Sequence, residues 1–131
     1  AAEEAKFGDT HAKLGLRPTW GMSQRLPRHV GIMQAKELSY TGRTIDGLEA
    51  ERIGLVLKSV PLTDLNAFVD SLSAAIVANS AGSISAYKDL YRFNANSGQV
   101  EGLDYEYQTS YDIPDVASRM VRFLEKLGGK N

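Results

Sequence analysis

Apolar residues recur every three to four positions through much of the second half of this chain. A polar turn over 79–82 separates two such stretches. This spacing places the apolar side chains on one face of a helix, so it predicts one helix from Thr63 to the turn and another after it. The two apolar stripes comprise Leu65, Phe68, Val69, Leu72, Ala75, Ile76 and Ala78, and then Ile84, Tyr87, Leu90 and Tyr91.

Two more helices are predicted in the last third, over 103–111 and 114–127, after a polar turn at 94–98. Gly128 and Gly129 are expected to end the last helix. Its apolar side is formed by Val116, Met120, Phe123, Leu124 and Leu127.

Glycine and proline punctuate the first half. A short extended piece over 5–7 leads into an irregular loop over 8–19, and helices are predicted over 20–29 and 32–40. Asp46 and Glu49 have the spacing of a capping box, in which the side chain of each accepts a hydrogen bond from the backbone amide of the other. They predict a helix over 47–53 that ends at Gly54.

The apolar run over 55–60 is followed by Pro61, which predicts a second extended segment. Two isolated short strands are only marginally stable in water. We therefore expect the helices of this chain to pack against a sheet that the chain does not itself supply.

Composition narrows the class of protein. The 131 residues are 43% hydrophobic and 24% charged, which is typical of a folded globular domain. A net charge of -1 provides no field that would attract nucleic acid or an anionic membrane. The lack of cysteine excludes disulfides and thiolate zinc sites, and the longest apolar run, 74–78, is far shorter than the roughly 20 residues that cross a bilayer. No metal, nucleic-acid or membrane partner is expected.

Several short motifs occur in order along the chain. They are Ala5-Lys6-Phe7-Gly8, Gln24-Arg25-Leu26-Pro27-Arg28, Thr41-Gly42-Arg43, Gly54-Leu55-Val56, Val60-Pro61 and Phe123-Leu124-Glu125-Lys126. In order and spacing the chain resembles the crotonase (enoyl-coenzyme A hydratase/isomerase) superfamily. The resemblance implies an α/β, crotonase-like (ClpP/crotonase) fold, of which this chain would be the C-terminal half, rich in helices with few strands. Residues 1–62 would hold the core motifs and the active-site loop, and 63–131 the helices of an oligomerisation region.

The resemblance also implies a chemistry. Members act on acyl-CoA thioesters and stabilise an enolate-like oxyanion with two backbone amides, which here would come from the missing N-terminal half. Coenzyme A enters as part of the substrate, so no separate cofactor is expected. The chain alone is expected to be inactive, because removing one donor from such a site costs about 10²–10³ in rate.

The implied partners are an acyl-CoA substrate, the N-terminal half of the same fold, and further copies of the chain in a trimer or hexamer. The expected location is the cytoplasm or, in a eukaryote, the mitochondrial or peroxisomal matrix.

The loop over 8–19 carries the candidate catalytic residues. Hydratases of the superfamily use two glutamates as acid and base, and by resemblance His11 occupies the position of the second. A histidine transfers protons near neutral pH, because the ordinary pKa of its side chain is about 6.5. Asp9 is close enough in sequence to orient it. The alternative is that His11 is a polar loop residue filling a vacated pocket.

Three residues are candidates for binding substrate. Trp20, beside Gly21 at a predicted helix start, could line an acyl pocket, although burial of its large surface in the core is the favoured interpretation. The resemblance puts Tyr107 near the pantetheine or adenine end of coenzyme A and Lys126 near the nucleotide. The alternatives are a helix-stripe aromatic and a solvated lysine that suits the helix dipole.

Other functions remain open at this point. A crotonase-family hydrolase of 3-oxo or β-diketone substrates is one, because His11 departs from the paired glutamates of a hydratase and one oxyanion device serves several reactions. A non-catalytic oligomerising fragment is the other, because helices without their sheet would expose apolar stripes that favour association.

Overall fold

The computed structural model describes residues 1–128, and helices predominate in them. In chain order the elements are β1 (Phe7–Gly8), a 3-10 turn (Ala12–Leu14), α1 (Met22–Val30), α2 (Ile32–Thr41), β2 (Thr44–Ile45), α3 (Gly47–Arg52), a second 3-10 turn (Leu62–Asp64), α4 (Leu65–Val77), α5 (Ala81–Asn94), α6 (Gln99–Gln108) and α7 (Val116–Gly128). The prediction of many helices and few strands is confirmed for this part of the chain. The residues group into two compact units, one over Ala1–Ser71 and one from Leu72 onward.

The first unit has a small core beneath its two strands. β1 and β2 pair antiparallel with Phe7 opposite Ile45. Ile45 packs with Leu38 of α2 and Ala50 of α3, and all three side chains are buried. The partly buried residues around them are Phe7, Ile53, Leu55 and Val56. This core joins α2 and α3 to the strand that leads into the loop carrying Asp9 and His11.

The predicted strand over 55–60 is wrong. The amides of Leu55 and Val56 both donate to the carbonyl of Ala50, at 2.9 and 3.3 Å, so the chain turns back over the end of α3. Only Val60 pairs, through an isolated parallel bridge to Ala2. The apolar side chains of this run cover the core, but they do so from a turn. Hydrophobic periodicity does not distinguish such a turn from a buried strand.

The predicted capping box is half correct. The Asp46 side chain accepts from the amide of Glu49 at 2.9 Å and begins α3. The Glu49 carboxylate instead accepts from Arg43 at 2.8 Å and from Arg52 at 2.9 Å. Arg43 also bonds both oxygens of Glu37, at 2.6 and 3.0 Å. A charged, forked partner therefore replaces the expected backbone donor and ties α2 to α3.

Gly47 lies where backbone segments come closest together. Its amide donates to the carbonyl of Glu3 at 3.0 Å. A Cβ at this position would lie 2.1 Å from the carbonyl oxygen of Ala2 and 2.7 Å from the hydroxyl of Ser59. No other residue type fits here without moving one of these segments.

The second unit consists of helices α5 to α7 and the end of α4. Ser80, predicted to lie in a helix break, is the N-cap of α5: its hydroxyl accepts from the amide of Ser83 and donates to Asp115 at 2.6 Å. Asp115 also binds Arg119 on α7. α6 begins earlier than predicted, at Gln99, because the Glu101 carboxylate accepts from the Gly98 amide and caps the helix at that point.

Large apolar side chains remain exposed on these helices. On α7 the exposed fraction lies between 55% and 60% for Val116, Met120, Val121, Phe123, Leu124 and Leu127. Among the described residues no single helix is long and apolar enough to span a membrane, although Leu62–Val77 and Ala81–Asn94, counted together as a bent pair, reach the necessary length and composition.

Candidate active site

The backbone of the loop after β1 presents Asp9 and His11 on the same side. β1 ends at Gly8, and Asp9 follows directly. The carbonyl of His11 accepts from the amides of Leu14 and Leu16, at 3.1 and 2.8 Å, which closes the 3-10 turn behind it. The Asp9 carboxylate also accepts from the His11 amide at 3.3 Å, a local turn that aspartate favours.

The side chains of Asp9 and His11 form a dyad. The Nδ1 atom of His11 lies 2.6 Å from Oδ1 of Asp9, and the two side chains are 14% and 5% exposed. The other carboxylate oxygen, Oδ2, accepts from the hydroxyl of Ser39 on α2 at 2.8 Å. Asp9 and His11 therefore lie within hydrogen-bond distance of each other, which an orienting role for Asp9 would require.

The electrostatics of Asp9 determine how the dyad is protonated. Burial alone would raise the pKa of Asp9, but hydrogen bonds from His11 and Ser39 outweigh it and hold the pKa of this carboxyl below its ordinary value. An ionised carboxylate only accepts hydrogen bonds, so Nδ1 of His11 must be the donor. We therefore assign the neutral imidazole as the Nδ1–H tautomer, which leaves a lone pair on Nε2.

Trp20 lies beside His11 but is not in the core. Its ring centroid is 5.6 Å from that of His11, with the planes tilted by 59°, and the residue is 84% exposed. The favoured interpretation, burial in the core, is wrong. Trp20 has a φ of +53° and Gly21 a φ of +77°. Two successive left-handed residues turn the chain outward, so α1 starts at Met22 rather than at residue 20.

Two pockets meet at Asp9. One, of about 280 Å³, lies between the loop, α1 and α2, and the apolar residues Leu16, Met22, Leu26 and Ile32 form part of its wall beside His11. The other, of about 600 Å³, is bounded by Phe7, Trp20, Leu38 and Ile45. The dyad thus stands at the edge of apolar space large enough for a small organic group.

The remaining two binding candidates belong to the second unit. Tyr107 on α6 is 93% exposed. Lys126 on α7 lines a groove of about 420 Å³ together with Asn79, Arg119, Arg122 and Phe123. The lining of this groove thus contains three cationic side chains and one aromatic ring, and Arg119 is paired with Asp115.

Ser39 is the residue of this site that sequence reasoning missed. It lies four residues after the buried Ala35, so the pattern of α2 already put its hydroxyl towards the buried side of the helix. A hydroxyl in that position requires a hydrogen-bond partner, which was the available signal. Within residues 1–128 no group of three or more histidine, aspartate or glutamate side chains is arranged to hold a metal ion.

Comparisons with known proteins identify the fold and the family. The family model of enoyl-CoA hydratase/isomerase matches residues 1–130. The Mycobacterium tuberculosis protein named probable enoyl-CoA hydratase echA8 is 39% identical over 129 residues, which cover 96% of this chain and 50% of that protein. The crystal structure of an enoyl-CoA hydratase from Bacillus anthracis matches with a TM-score of 0.87 and 32% identity, over 95% of this chain and 50% of that one.

A Thermobifida fusca protein whose crystal structure contains CoA matches with a TM-score of 0.74 and 27% identity, over 98% of this chain and 46% of that one. The chain spans about half the length of the curated relatives it matches. Its fold is the α/β crotonase fold, as expected from the motifs. The chain belongs to the enoyl-CoA hydratase/isomerase family of the crotonase superfamily.

Proposed function

We propose that this chain supplies the proton-transfer group of an enoyl-CoA hydratase or isomerase that acts on acyl-CoA thioesters. The observation that carries the proposal is the 2.6 Å contact between His11 and Asp9 at the edge of two apolar pockets. An imidazole held by a carboxylate at one nitrogen is a general base at the other. Family membership supports acyl-CoA thioesters as the substrate class.

In hydration, Nε2 of His11 would take a proton from water as the water oxygen bonds to the β-carbon of the substrate. The electron pair of the α,β double bond then moves to the thioester oxygen as an enolate. That oxyanion needs hydrogen-bond donors, which the resemblance assigns to the other half of the fold. Transfer of that proton from Nε2 of the His11 imidazolium to the α-carbon completes the addition and returns His11 to its neutral form. Asp9 stabilises the imidazolium formed in the first step, because its negative charge lies 2.6 Å away.

In the second unit, taken by itself, the resemblance suggests contacts for the coenzyme A of a substrate. Lys126 and Arg122 offer cationic groups for its phosphates, and Tyr107 offers an exposed ring for the adenine or pantetheine end. Trp20 would form an outer wall of the acyl site beside His11. The dyad suits hydrolysis of a 3-oxo or β-diketone substrate equally well, since the same base can direct water at a carbonyl carbon.

The test uses the complete protein, including the segment that carries the oxyanion donors, and crotonyl-CoA as the simplest unsaturated thioester. His11→Gln, which can keep a hydrogen bond to Asp9 but is no base, should lower kcat by about 10²–10⁴ with a smaller effect on KM. Ser73→Ala, at an exposed position of α4, should leave both parameters unchanged. Unaltered turnover in His11→Gln would contradict the proposed role of His11.

The product distinguishes the two reactions. Hydration gives a 3-hydroxyacyl thioester with no release of free coenzyme A, whereas cleavage of a 3-oxo substrate breaks a carbon–carbon bond. The enzymatic proposal would be contradicted if the complete protein neither bound nor converted any acyl-CoA.

A second function, assembly with further copies of the chain, is favoured by a specific observation. The six apolar side chains of α7 named above are more than half exposed, and surfaces of this kind mark association sites. We therefore propose that α7 contributes to a homo-oligomer.

A further inference from the structure

The hydroxyl of Ser39 donates its hydrogen bond to the Asp9 carboxylate. Its hydroxyl lies 2.8 Å from Oδ2 of Asp9, on a helix thirty residues further along the chain. A serine within a helix commonly donates to the carbonyl four residues earlier, but among the described residues the Ser39 hydroxyl donates to Asp9 instead. Ser39 therefore connects α2 to the loop that holds His11.

The contact matters because Asp9 is buried. The Asp9 side chain is 5% exposed, and within residues 1–128 Ser39 is the hydrogen-bond donor to Oδ2. A buried carboxylate oxygen without a donor is costly, so its loss favours rotation of the carboxylate or entry of water. Either change would take Oδ1 away from Nδ1 of His11.

Few other groups compete for this role. The charged or titratable side chains that line the two adjoining pockets do not hydrogen-bond to Asp9 or His11; they are Lys6, Arg25, His29, Lys36 and Tyr40. The orientation of the dyad thus depends on the local turn of the loop and on one hydroxyl from α2.

We propose that Ser39 is a positioning residue, which holds the Asp9 carboxylate so that His11 keeps its proton on Nδ1 and presents the lone pair of Nε2 to the pocket. The effect of Ser39 on catalysis rests on the proposed function. The effect of Ser39 on the His11 tautomer does not rest on it, because the tautomer exists in the chain without substrate.

The tautomer is the direct readout. Ring nitrogen-15 chemical shifts distinguish Nδ1–H from Nε2–H, and the chain has only two histidines, so His29 serves as the reference signal in the same sample. In the unsubstituted chain the neutral form of His11 should be Nδ1–H. Ser39→Ala should produce a mixture of tautomers, and Ser39→Thr, which keeps the hydroxyl, should restore the single form.

Matched controls separate positioning from a general change of structure. Ser73→Ala removes a hydroxyl at an exposed position of α4 and should leave His11 as it is. If Ser39→Ala fails to give a dispersed, folded spectrum, Ser39→Cys, with similar volume and a weaker donor, takes its place. A single Nδ1–H tautomer in the folded variant, or an equal change at His29, would overturn the proposal.

Kinetics on the complete protein test the catalytic consequence. Ser39→Ala should lower kcat by about tenfold, less than the full contribution of a general base, with KM unchanged, and Ser39→Thr should recover it. A changed tautomer together with no acyl-CoA turnover in any form of the protein would uphold the positioning role and contradict the proposed function. An unchanged tautomer in Ser39→Ala together with normal turnover would contradict the positioning role and leave the proposed function standing.

Discussion

Asp9 is the residue on which the loop geometry depends. Its two carboxylate oxygens accept from the His11 ring, the His11 amide and the Ser39 hydroxyl. The pair at Asp9 and His11 was predictable, because two residues of spacing in a loop bring side chains together. Ser39 was not, because its contact depends on how α2 packs against the loop. At this scale, short-range geometry followed from the sequence and the long-range donor did not.

Asp9→Asn should change how stability depends on pH. The pKa of Asp9 in the folded chain is below its ordinary value of 3.8, so the ionised carboxylate stabilises the fold above pH 3.8. This stabilisation is lost as the pH falls from 3.8 towards the folded-state pKa. The original chain should therefore be more stable than Asp9→Asn at pH 7, and the difference should shrink in acid. Urea unfolding at a series of pH values measures it.

The control for this experiment is Asp70→Asn, at an exposed position of α4. It should follow the pH dependence of the original chain. A difference between Asp9→Asn and the original chain that stays constant from neutral to acid pH would be inconsistent with a depressed pKa at Asp9.

At the scale of elements, helices were predicted better than the segments between them. Periodicity located α4 and α5 to within a few residues, and the positions of glycine and proline located α1 and α2, because both signals are local properties of the sequence. The sequence did not predict the turn at 55–57 or the ion pair between Glu49 and Arg43. Both depend on partners in other segments, which a pattern along the chain does not contain.

Gly47→Ala should destabilise the first unit. The added Cβ would lie 2.1 Å from the carbonyl oxygen of Ala2, and this clash with backbone should cost about 1–3 kcal/mol or more in unfolding free energy. Chemical denaturation measures the loss.

Gly102→Ala is the matched control, with the opposite sign expected. Gly102 lies inside α6, and its nearest atom to a new Cβ is 3.9 Å away. Alanine is a better helix former, so stability should rise by about 0.5–1 kcal/mol. Equal effects of the two substitutions would contradict the close approach at Gly47.

Asp89 links α5 to the chain on both sides of the α6 C-terminus. Its Oδ2 accepts from the hydroxyls of Tyr105 and Tyr111, at 2.8 and 2.9 Å. Burial first, and then the Asp89 hydrogen bond, raises the pKa of Tyr111 to about 12. Because this pKa is raised, the stability that Tyr111 contributes should be present below its ordinary value of 10.0 and be lost as pH rises to about 12.

Spectroscopic titration of tyrosinate tests this connection. Asp89→Asn should lower the pH at which the late-titrating tyrosine ionises, while Asp104→Asn on the exposed side of α6 should not. The same late titration in Asp89→Asn would mean that burial alone accounts for the shift.

At the scale of the whole molecule, the proposed association depends on the exposed apolar side chains of α7. Leu124 on α7 is 60% exposed, and burying a leucine contributes about 1.5–3 kcal/mol. Light scattering over a dilution series should therefore detect oligomers of the chain, and Leu124→Glu should weaken them by about 10- to 150-fold in Kd.

Glu125→Gln, the neighbouring exposed position, is the control and should leave association nearly unchanged. A monomer at every concentration, or equal behaviour of the two variants, would contradict assembly through α7.

The sequence by itself determined the helices, the family and the loop that carries Asp9 and His11, because periodicity, motif order and close spacing are properties read along the chain. Tertiary structure decided what each loop residue contacts. Trp20 stands exposed over His11 because two left-handed residues turn the backbone outward. Hydrogen bonds from His11 and from Ser39, which α2 brings to within 2.8 Å, hold the pKa of Asp9 below its ordinary value. The contact between Ser39 and Asp9 joins residues thirty positions apart, and only the packing of the chain brings them together.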